Sequence, residues 1–201
     1  MSKRWFCSDT HFNHDKDFIW GRRGYSSVSE MNESMIMGWN EKVSDVDLVY
    51  HLGDFAAWSV RSVFHFRNQL KGKIILTPGN HCPCFGYWKS EKKERVRQEY
   101  LQNGFTDVQK SVILTLKGDK EYVCLLNHFP PNCEEQKQYD DRYWEDREEY
   151  NEEIIFLHGH THHRHYLKNK NMIDISWESK PGIWSEEEII QIIEDPREFI
   201  F

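Results

Sequence analysis

The chain has 201 residues, which favours one domain over residues 1–201 at roughly 150 residues per domain. Asp and Glu exceed Lys and Arg by 33 to 26, and the net charge of −7 disfavours binding along extended duplex DNA, which needs clustered basic side chains. The 14% aromatic content argues against disorder, and the lack of an apolar stretch of about 20 residues argues against a membrane span. Five cysteines without disulfide spacing favour a reducing, cytoplasmic location.

Short apolar runs alternate with amphipathic stretches through the first half of the chain. The apolar runs predict strands, and apolar residues at helical spacing predict helices between them. In chain order the predicted elements are a strand at Arg4–Ser8, a helix at Ser29–Val43, a strand at Asp47–Leu52, a helix at Ser59–Leu70, a strand at Lys73–Thr77 and a helix at Glu91–Gln102.

The second half contains several strand-like runs in succession. Ser111–Leu116 and Glu121–Asn127 flank a Gly-Asp turn and predict a hairpin. Two more strands are predicted at Ile154–Leu157 and Asn171–Trp177, and a final helix begins at Ser185 with a capping-box sequence. The change from helix–strand alternation to consecutive strands predicts an α/β layered domain with both parallel and antiparallel pairing.

One segment, Cys133–Glu153, differs in composition from its surroundings. It contains ten acidic, three basic and four aromatic residues. We favour a solvated helix with a few aromatic anchors. The alternative is a lid or partner surface beside the active site, because the segment lies between two of the motifs described next.

Polar side chains with metal-binding chemistry occur where apolar runs end. The five motifs are Asp9-x-His11, Gly53-Asp54, Gly79-Asn80-His81, Asn127-His128 and Gly159-His160-Thr161-His162. Ligand sites in α/β sheets gather beyond the carboxyl ends of strands, so we expect all five motifs to converge on one crevice.

The donor atoms of these motifs suit a divalent metal centre. Seven candidate ligands are too many for one catalytic zinc, which takes three protein ligands and a water. They suit two ions that share a bridging carboxylate, with Mn, Fe, Zn or a similar metal as the choice. The candidates are Asp9, His11, Asp54, Asn80, His128, His160 and His162.

The five motifs, in this order and spacing, resemble those of the calcineurin-like metallophosphoesterases. The resemblance extends from Arg4 to about Ile190, and the runs Ser8–His14 and Val49–Phe55 are similar to a small bacterial and phage subgroup of that family. It implies a four-layer α/β/β/α sandwich with mixed sheets and a dinuclear metal site.

The resemblance also implies a role for each site residue. One metal would be bound by Asp9, His11 and His162, and the other by Asn80, His128 and His160. Asp54 would bridge both ions, and His81 would donate a proton to the leaving oxygen. The implied cofactors are two divalent ions, Mn²⁺ first, with Fe, Zn, Ni and Mg as alternatives, and a hydroxide between them would attack phosphorus.

The residue after the Gly-Asn-His triplet departs from the family pattern. The family usually has an acid there, which orients the histidine, whereas this chain has Cys82. A thiol orients imidazole poorly, so we expect weaker or pH-shifted catalysis with an unaffected ligand set. A separate zinc site at Cys82 and Cys84 is disfavoured by their one-residue spacing.

Two residues outside the motifs are assigned to substrate. His14 could meet the phosphate from the first loop, and Arg23, or its neighbour Arg22, could clamp a phosphate through two hydrogen bonds. A plain surface position is the alternative for each of them.

These observations together predict a metal-dependent phosphoesterase that hydrolyses a phosphodiester in a nucleotide or nucleic-acid-derived substrate. The preference for diesters rests on analogy with small members of the family. The alternatives are a phosphomonoesterase, a nucleotide pyrophosphatase and a non-catalytic metal-binding interaction module of the same fold. We expect a phosphate-ester partner, no membrane and no extended duplex DNA.

Overall fold

Two five-stranded sheets face each other in the protein. The computed structural model describes residues 2–57, 59–87, 89–133, 142–162, 167–169 and 171–195. The first sheet contains β1 (Arg4–Cys7), β2 (Leu48–His51), β3 (Lys73–Leu76), β4 (Asp107–Val108) and β10 (Trp184–Ser185). Its strand order is β10-β1-β2-β3-β4, and only β10 runs antiparallel to its neighbour.

The second sheet combines a parallel centre with antiparallel edges. It contains β5 (Val112–Lys117), β6 (Glu121–Leu126), β7 (Ile155–His158), β8 (Leu167–Asn169) and β9 (Met172–Asp174). The order is β5-β6-β7-β9-β8, in which β6, β7 and β9 are parallel while β5 and β8 pair antiparallel. The sandwich with mixed sheets that the sequence resemblance implies is therefore confirmed.

The described residues contain five α-helices and two 3-10 helices besides the strands. The helices are α1 (Asp17–Trp20), α2 (Val28–Lys42), α3 (Val60–Arg67), α4 (Lys93–Gln102) and α5 (Glu186–Glu194), and the 3-10 turns are Phe85–Tyr87 and Trp144–Asp146. Serines accept the first free backbone N–H groups of three helices, at Ser27, Ser59 and Ser185. The predicted capping box at Ser185 and Glu188 is present. None of the helices in the described part of the chain is both long and apolar enough to cross a bilayer.

Side-chain alternation along the first sheet produces two cores. On β1, Trp5 and Cys7 pack among the helices, whereas Phe6 points between the sheets. The helical core also contains three buried side chains that recur at helical spacing along α2, Met31, Met35 and Trp39. The core between the sheets is closed at one side by α5 through Ile189 and Ile192.

Asp47 fixes the entry to the first sheet. Its Oδ1 accepts from the Lys3 backbone N–H at 2.8 Å, and its Oδ2 accepts from the Ser44 N–H at 2.9 Å and the Trp5 indole N–H at 3.2 Å. The backbone N–H of Lys3 is the largest of the influences that lower the pKa of Asp47 to about 2. The carboxylate therefore joins the starts of β1 and β2 as a charged acceptor.

The acidic segment predicted as a helix is only partly described. Residues 134–141 lie outside the described residues. Between residues 142 and 153 the structure has the 3-10 turn Trp144–Asp146 instead of an α-helix. Just before that turn, Tyr143 stacks on Phe129 with ring centroids 5.2 Å apart and meets the ring of His160 at 5.8 Å, so this part of the segment borders the candidate site.

Candidate metal centre

Five loops bring the predicted ligands to one edge of the sandwich. Each loop follows a parallel strand: β1, β2 and β3 of the first sheet, and β6 and β7 of the second. The two sheets are joined there, because the Trp177 N–H donates to the Ser8 carbonyl at 3.1 Å and the His160 N–H donates to Asp9 Oδ2 at 3.0 Å. All seven predicted ligands are found within this edge.

The first donor set is Asp9, His11 and His162. Asp9 Oδ1 lies 3.2 Å from His162 Nε2 and 3.8 Å from His11 Nε2, and the two Nε2 atoms are 3.2 Å apart. Asp9 and His11 are buried. A carboxylate oxygen and two ring nitrogens within this distance of one another form a donor set that fits a divalent ion.

The second donor set contains Asn80, His128 and His160. Asn80 Oδ1 lies 3.1 Å from His128 Nε2 and 2.9 Å from His160 Nδ1. The other ring nitrogen of His128, Nδ1, contacts the Leu52 carbonyl at 2.7 Å. This contact fixes the His128 ring and leaves its Nε2 directed at the centre, as an outer partner does for metal-bound imidazoles.

Asp54 lies between the two sets. Its Oδ2 is 3.8 Å from His11 Nε2 and 3.6 Å from His128 Nε2. Its Oδ1 accepts from the backbone N–H of His81 at 2.9 Å. This position, facing one histidine of each set, is the one that a bridging carboxylate requires.

The electrostatics of the site favour a bound cation. Burial raises the pKa of Asp9, but His162, His128 and His11 outweigh burial, so the pKa of Asp9 is well below its usual value. Burial lowers the pKa of His162, but Asp9 and Glu178 reverse the effect and raise it to about 11. Burial first, and then the charge of Asp9, raise the pKa of Asp54. A proton on His162 thus serves as the counter-charge of Asp9, a task that a divalent ion would take over.

The backbone around the centre is held in an unusual conformation. Seven non-glycine residues in the described part of the chain have positive φ, and five of them are candidate ligands: Asp9, His11, Asp54, His160 and His162, with φ between 48° and 67°. Side chains rarely adopt this left-handed region, although Asp and His enter it more readily than most. The surrounding hydrogen bonds therefore hold these five residues in place against local strain.

Two glycines of the motifs permit close approach of the loops. A Cβ on Gly79 would lie 2.3 Å from Asp54 Oδ1, and a Cβ on Gly159 would lie 2.1 Å from Asp9 Oδ2. Neither position has room for a side chain, so both motif glycines are explained by packing against the carboxylates.

A model of one protein family matches residues 2–186, and its description is calcineurin-like phosphoesterase. The chain belongs to the calcineurin-like phosphoesterase family. Because the match includes all five motifs, the family relationship and the geometry concern the same residues.

Relatives of this calcineurin-like phosphoesterase occur in an archaeon and in a phage. It is 39% identical over 83 residues to the uncharacterized protein MJ1445 of Methanocaldococcus jannaschii, a match that covers 40% of this chain and 47% of that protein, about half its length. It is 27% identical over 209 residues to the gene 66 protein of Mycobacterium phage D29, with 98% and 99% coverage. The solved structure of the protein of unknown function AQ665 from Aquifex aeolicus superposes with a TM-score of 0.60 at 21% identity, covering 96% of this chain and all of that one, which shows the fold alone.

The predicted proton donor of the phosphoesterase stands at the rim of the centre. His81 is exposed, and its ring centroid lies 5.7 Å from that of His11. The following Cys82 is buried, and its Sγ accepts from the Gly79 N–H at 3.3 Å. The thiol that replaces the usual acid therefore contacts the backbone of its own loop. The catalytic role of His81 remains a prediction.

The two residues assigned to substrate have different surroundings. His14 is buried and packs edge-on against His11 and Phe18, with centroids 5.5 Å away in each case. Arg23 is also largely buried, and it donates to the carbonyls of Asp9 and Thr10 at 2.7 Å. Substrate binding by Arg23 stays a prediction, but the structure gives its guanidinium internal partners.

Glu178 is a site residue that motif analysis missed. Its Oε1 accepts from Arg23 Nε at 2.8 Å and from Arg23 Nη2 at 2.6 Å, and its Oε2 lies 3.1 Å from His162 Nδ1. Glu178 follows directly after the predicted strand Asn171–Trp177, so its place at a strand end was the available signal. It links the buried arginine to a predicted metal ligand.

Proposed function

We propose that this chain is a dinuclear metal-dependent phosphodiesterase that acts on a nucleotide or nucleic-acid-derived substrate, with His81 as general acid. The observation that carries the proposal is the pair of donor sets with Asp54 between them, facing an exposed histidine. Manganese is the metal that we propose first, and the five free thiols suit the reducing, cytoplasmic location that we also propose.

The donor sets assign the residues that would hold the ions. Asp9, His11 and His162 form one set, Asn80, His128 and His160 form the other, and Asp54 faces both. When bound, two divalent ions supply Lewis acidity toward the phosphoryl oxygens and make a water molecule nucleophilic near neutral pH.

His81 would transfer a proton to the leaving oxygen. Its backbone N–H donates to Asp54 Oδ1, so the loop that carries the imidazole is tied to the carboxylate between the two sets. The exposed ring can reach a bound ester, and a general acid placed in this way contributes typically 10²–10⁴-fold to the rate. His14 would steady the phosphate from its position beside His11.

The space beside the centre supports a diester over a monoester. A cavity of about 740 Å³ opens beside His11, His81 and His162. It lies within the range of about 300–1,000 Å³ that is typical of ligand sites. A monoester has one organic group to accommodate, whereas a diester has two, and the cavity provides room for the second.

The experiment that tests the proposal combines metal content with turnover. Protein stripped of metal and reloaded with Mn²⁺ is assayed with bis-p-nitrophenyl phosphate and with p-nitrophenyl phosphate. The expected result is two ions per chain and metal-dependent cleavage with a higher kcat/KM for the diester. A higher kcat/KM for the monoester would identify a monoesterase instead of a diesterase. Two bound ions without turnover on either substrate would identify a non-catalytic binding module, in which Cys82 stands in place of the acid that usually orients the histidine.

A further inference from the structure

The cavity beside the metal centre has two chemically different walls. One wall carries the imidazoles of the site. The second wall is apolar and aromatic, and it comes from the region of α1 and from the loop after β9: Phe18, Ile19, Tyr25, Trp177 and Pro181. A phosphate group alone would make no favourable contact with the second wall.

Phe18 is the most conspicuous member of the aromatic wall. Its side chain is 54% exposed, although a large apolar ring is normally covered. It packs edge-on against His14, which itself meets His11 in the same way, so a single ring separates Phe18 from the donor set. A flat ring entering the cavity could stack on the open face of Phe18 without any rearrangement of the core.

Arg22 gives the same cavity a positive charge that has no ionic partner among the described residues. It lines the cavity and is exposed, and it makes no hydrogen bond or ion pair with the part of the chain that the structure describes. The adjacent Arg23, by contrast, is held by Glu178 and by two backbone carbonyls. In a chain of net charge −7, a free guanidinium at this place favours an anionic ligand.

We propose that this cavity binds the leaving half of the substrate, a nucleoside whose base stacks on Phe18 and whose own second phosphate pairs with Arg22. The inference rests on the proposed function and deepens it by naming the substrate class: a nucleotide phosphodiester with a further terminal phosphate. Hydrolysis breaks the phosphorus–oxygen bond to this nucleoside and forms one to the oxygen of water. His81 protonates the departing oxygen, which leaves one phosphate monoester and one phosphorylated nucleoside.

The test measures binding separately from turnover. Calorimetry with Mn²⁺-loaded protein uses a thymidine dinucleotide whose internal linkage is a phosphorothioate, which resists hydrolysis, with and without a terminal phosphate. Inorganic phosphate is the probe without a base. The variants are Phe18→Ala and Arg22→Gln, both at exposed positions, and the matched controls are Tyr87→Ala and Arg95→Gln, which are exposed and distant in sequence.

The expected results distinguish the two contacts. Wild-type protein should bind the terminally phosphorylated dinucleotide about tenfold more tightly than the other one, and Arg22→Gln should abolish that difference. Phe18→Ala should weaken both dinucleotides about tenfold and leave the affinity for inorganic phosphate unchanged. The control variants should match wild type.

Wild-type dinucleotide affinities in both Phe18→Ala and Arg22→Gln would overturn the inference, even if bis-p-nitrophenyl phosphate is cleaved. The reverse outcome is equally clear. Binding that depends on Phe18 and Arg22 in a protein that cleaves no ester would support the binding site and reject the proposed function.

Discussion

Replacement of Glu178 by Gln tests whether this side chain positions the metal ligand His162. In the wild-type protein Glu178 Oε2 lies 3.1 Å from His162 Nδ1, a distance at which the carboxylate favours a proton on Nδ1 and leaves the Nε2 lone pair for an ion. A glutamine keeps Oε1 as an acceptor for Arg23, but it places an N–H₂ group opposite His162 Nδ1 if Oε1 stays in place. Two donors then face each other, and the ring must turn or change tautomer.

The size of the expected effect follows from these contacts. Loss of an outer partner of a metal-bound histidine typically costs 10–100-fold in metal affinity, about 1.4 to 2.7 kcal/mol. The loss should concern the ion held by Asp9, His11 and His162, because Glu178 contacts that set. Alanine is a poorer choice, because the largely buried Arg23 would then lose its acceptor oxygen as well as the charge of Glu178, and removing one partner of a buried pair costs about 3–5 kcal/mol.

The assay is a competition titration of metal-free protein with Mn²⁺ against a fluorescent chelator, which yields two stepwise affinities. Thermal unfolding in EDTA reports the folding stability of the same samples. Glu187→Gln is the matched control, since Glu187 is an exposed carboxylate on α5. Two wild-type affinities in Glu178→Gln would refute the positioning role, and a lowered melting temperature alone would reduce Glu178 to a structural partner of Arg23.

Three further changes test other parts of the structure. His81→Ala should lower turnover 10²–10⁴-fold while both ions still bind, and a near-normal rate would remove His81 from proton transfer. Asp54→Asn should weaken both Mn²⁺ affinities together in the chelator titration, and a variant that retains both would contradict a bridging carboxylate. Asp47→Asn should lower the melting temperature at pH 7, because one of the donors at Lys3, Ser44 or the Trp5 indole loses its acceptor, at a cost of about 1–3 kcal/mol. The pKa of Asp47 is lowered to about 2 in the folded protein, so the stabilisation by its carboxylate is complete above the unfolded value of 3.8 and is lost as the pH falls toward 2. The melting temperatures of wild type and Asp47→Asn should therefore converge near pH 2. A constant difference from pH 7 to pH 2 would refute this account.

The convergence of the candidate ligands could be predicted from the sequence because they all lie at strand ends. Asp54, for example, follows a four-residue apolar strand that both periodicity and the Gly-Asp turn identify, and parallel pairing then brings it beside the other motifs. The adjacent arginines show the limit of this reasoning. Arg22 and Arg23 are the same residue type at adjacent positions, and only the fold decides that Arg23 donates to internal carbonyls while Arg22 is exposed in the cavity.

Short elements escaped prediction for a related reason. The strands β4 and β10 have two residues each, and α1 has four, so none contains enough residues for a period to be recognised. Trp184 on β10 is nevertheless fully buried between the sheets. Such elements are defined by the partners they pair with, which local sequence does not reveal.

The five candidate ligands with a left-handed backbone are positions where folding stability and ion binding favour different residues. A left-handed conformation costs an ordinary residue about 1–2 kcal/mol, and glycine would escape this cost at the same positions. Glycine would also delete the donor. Screening variants for heat resistance in EDTA should therefore enrich glycine at sites such as His11, whose buried Nδ1 has no hydrogen-bond partner among the described residues, whereas the same screen in Mn²⁺ should retain the histidine, because the bound ion stabilises the folded state by mass action. The edge of the sandwich that carries the candidate metal centre is thus a place where metal-free protein could still gain stability.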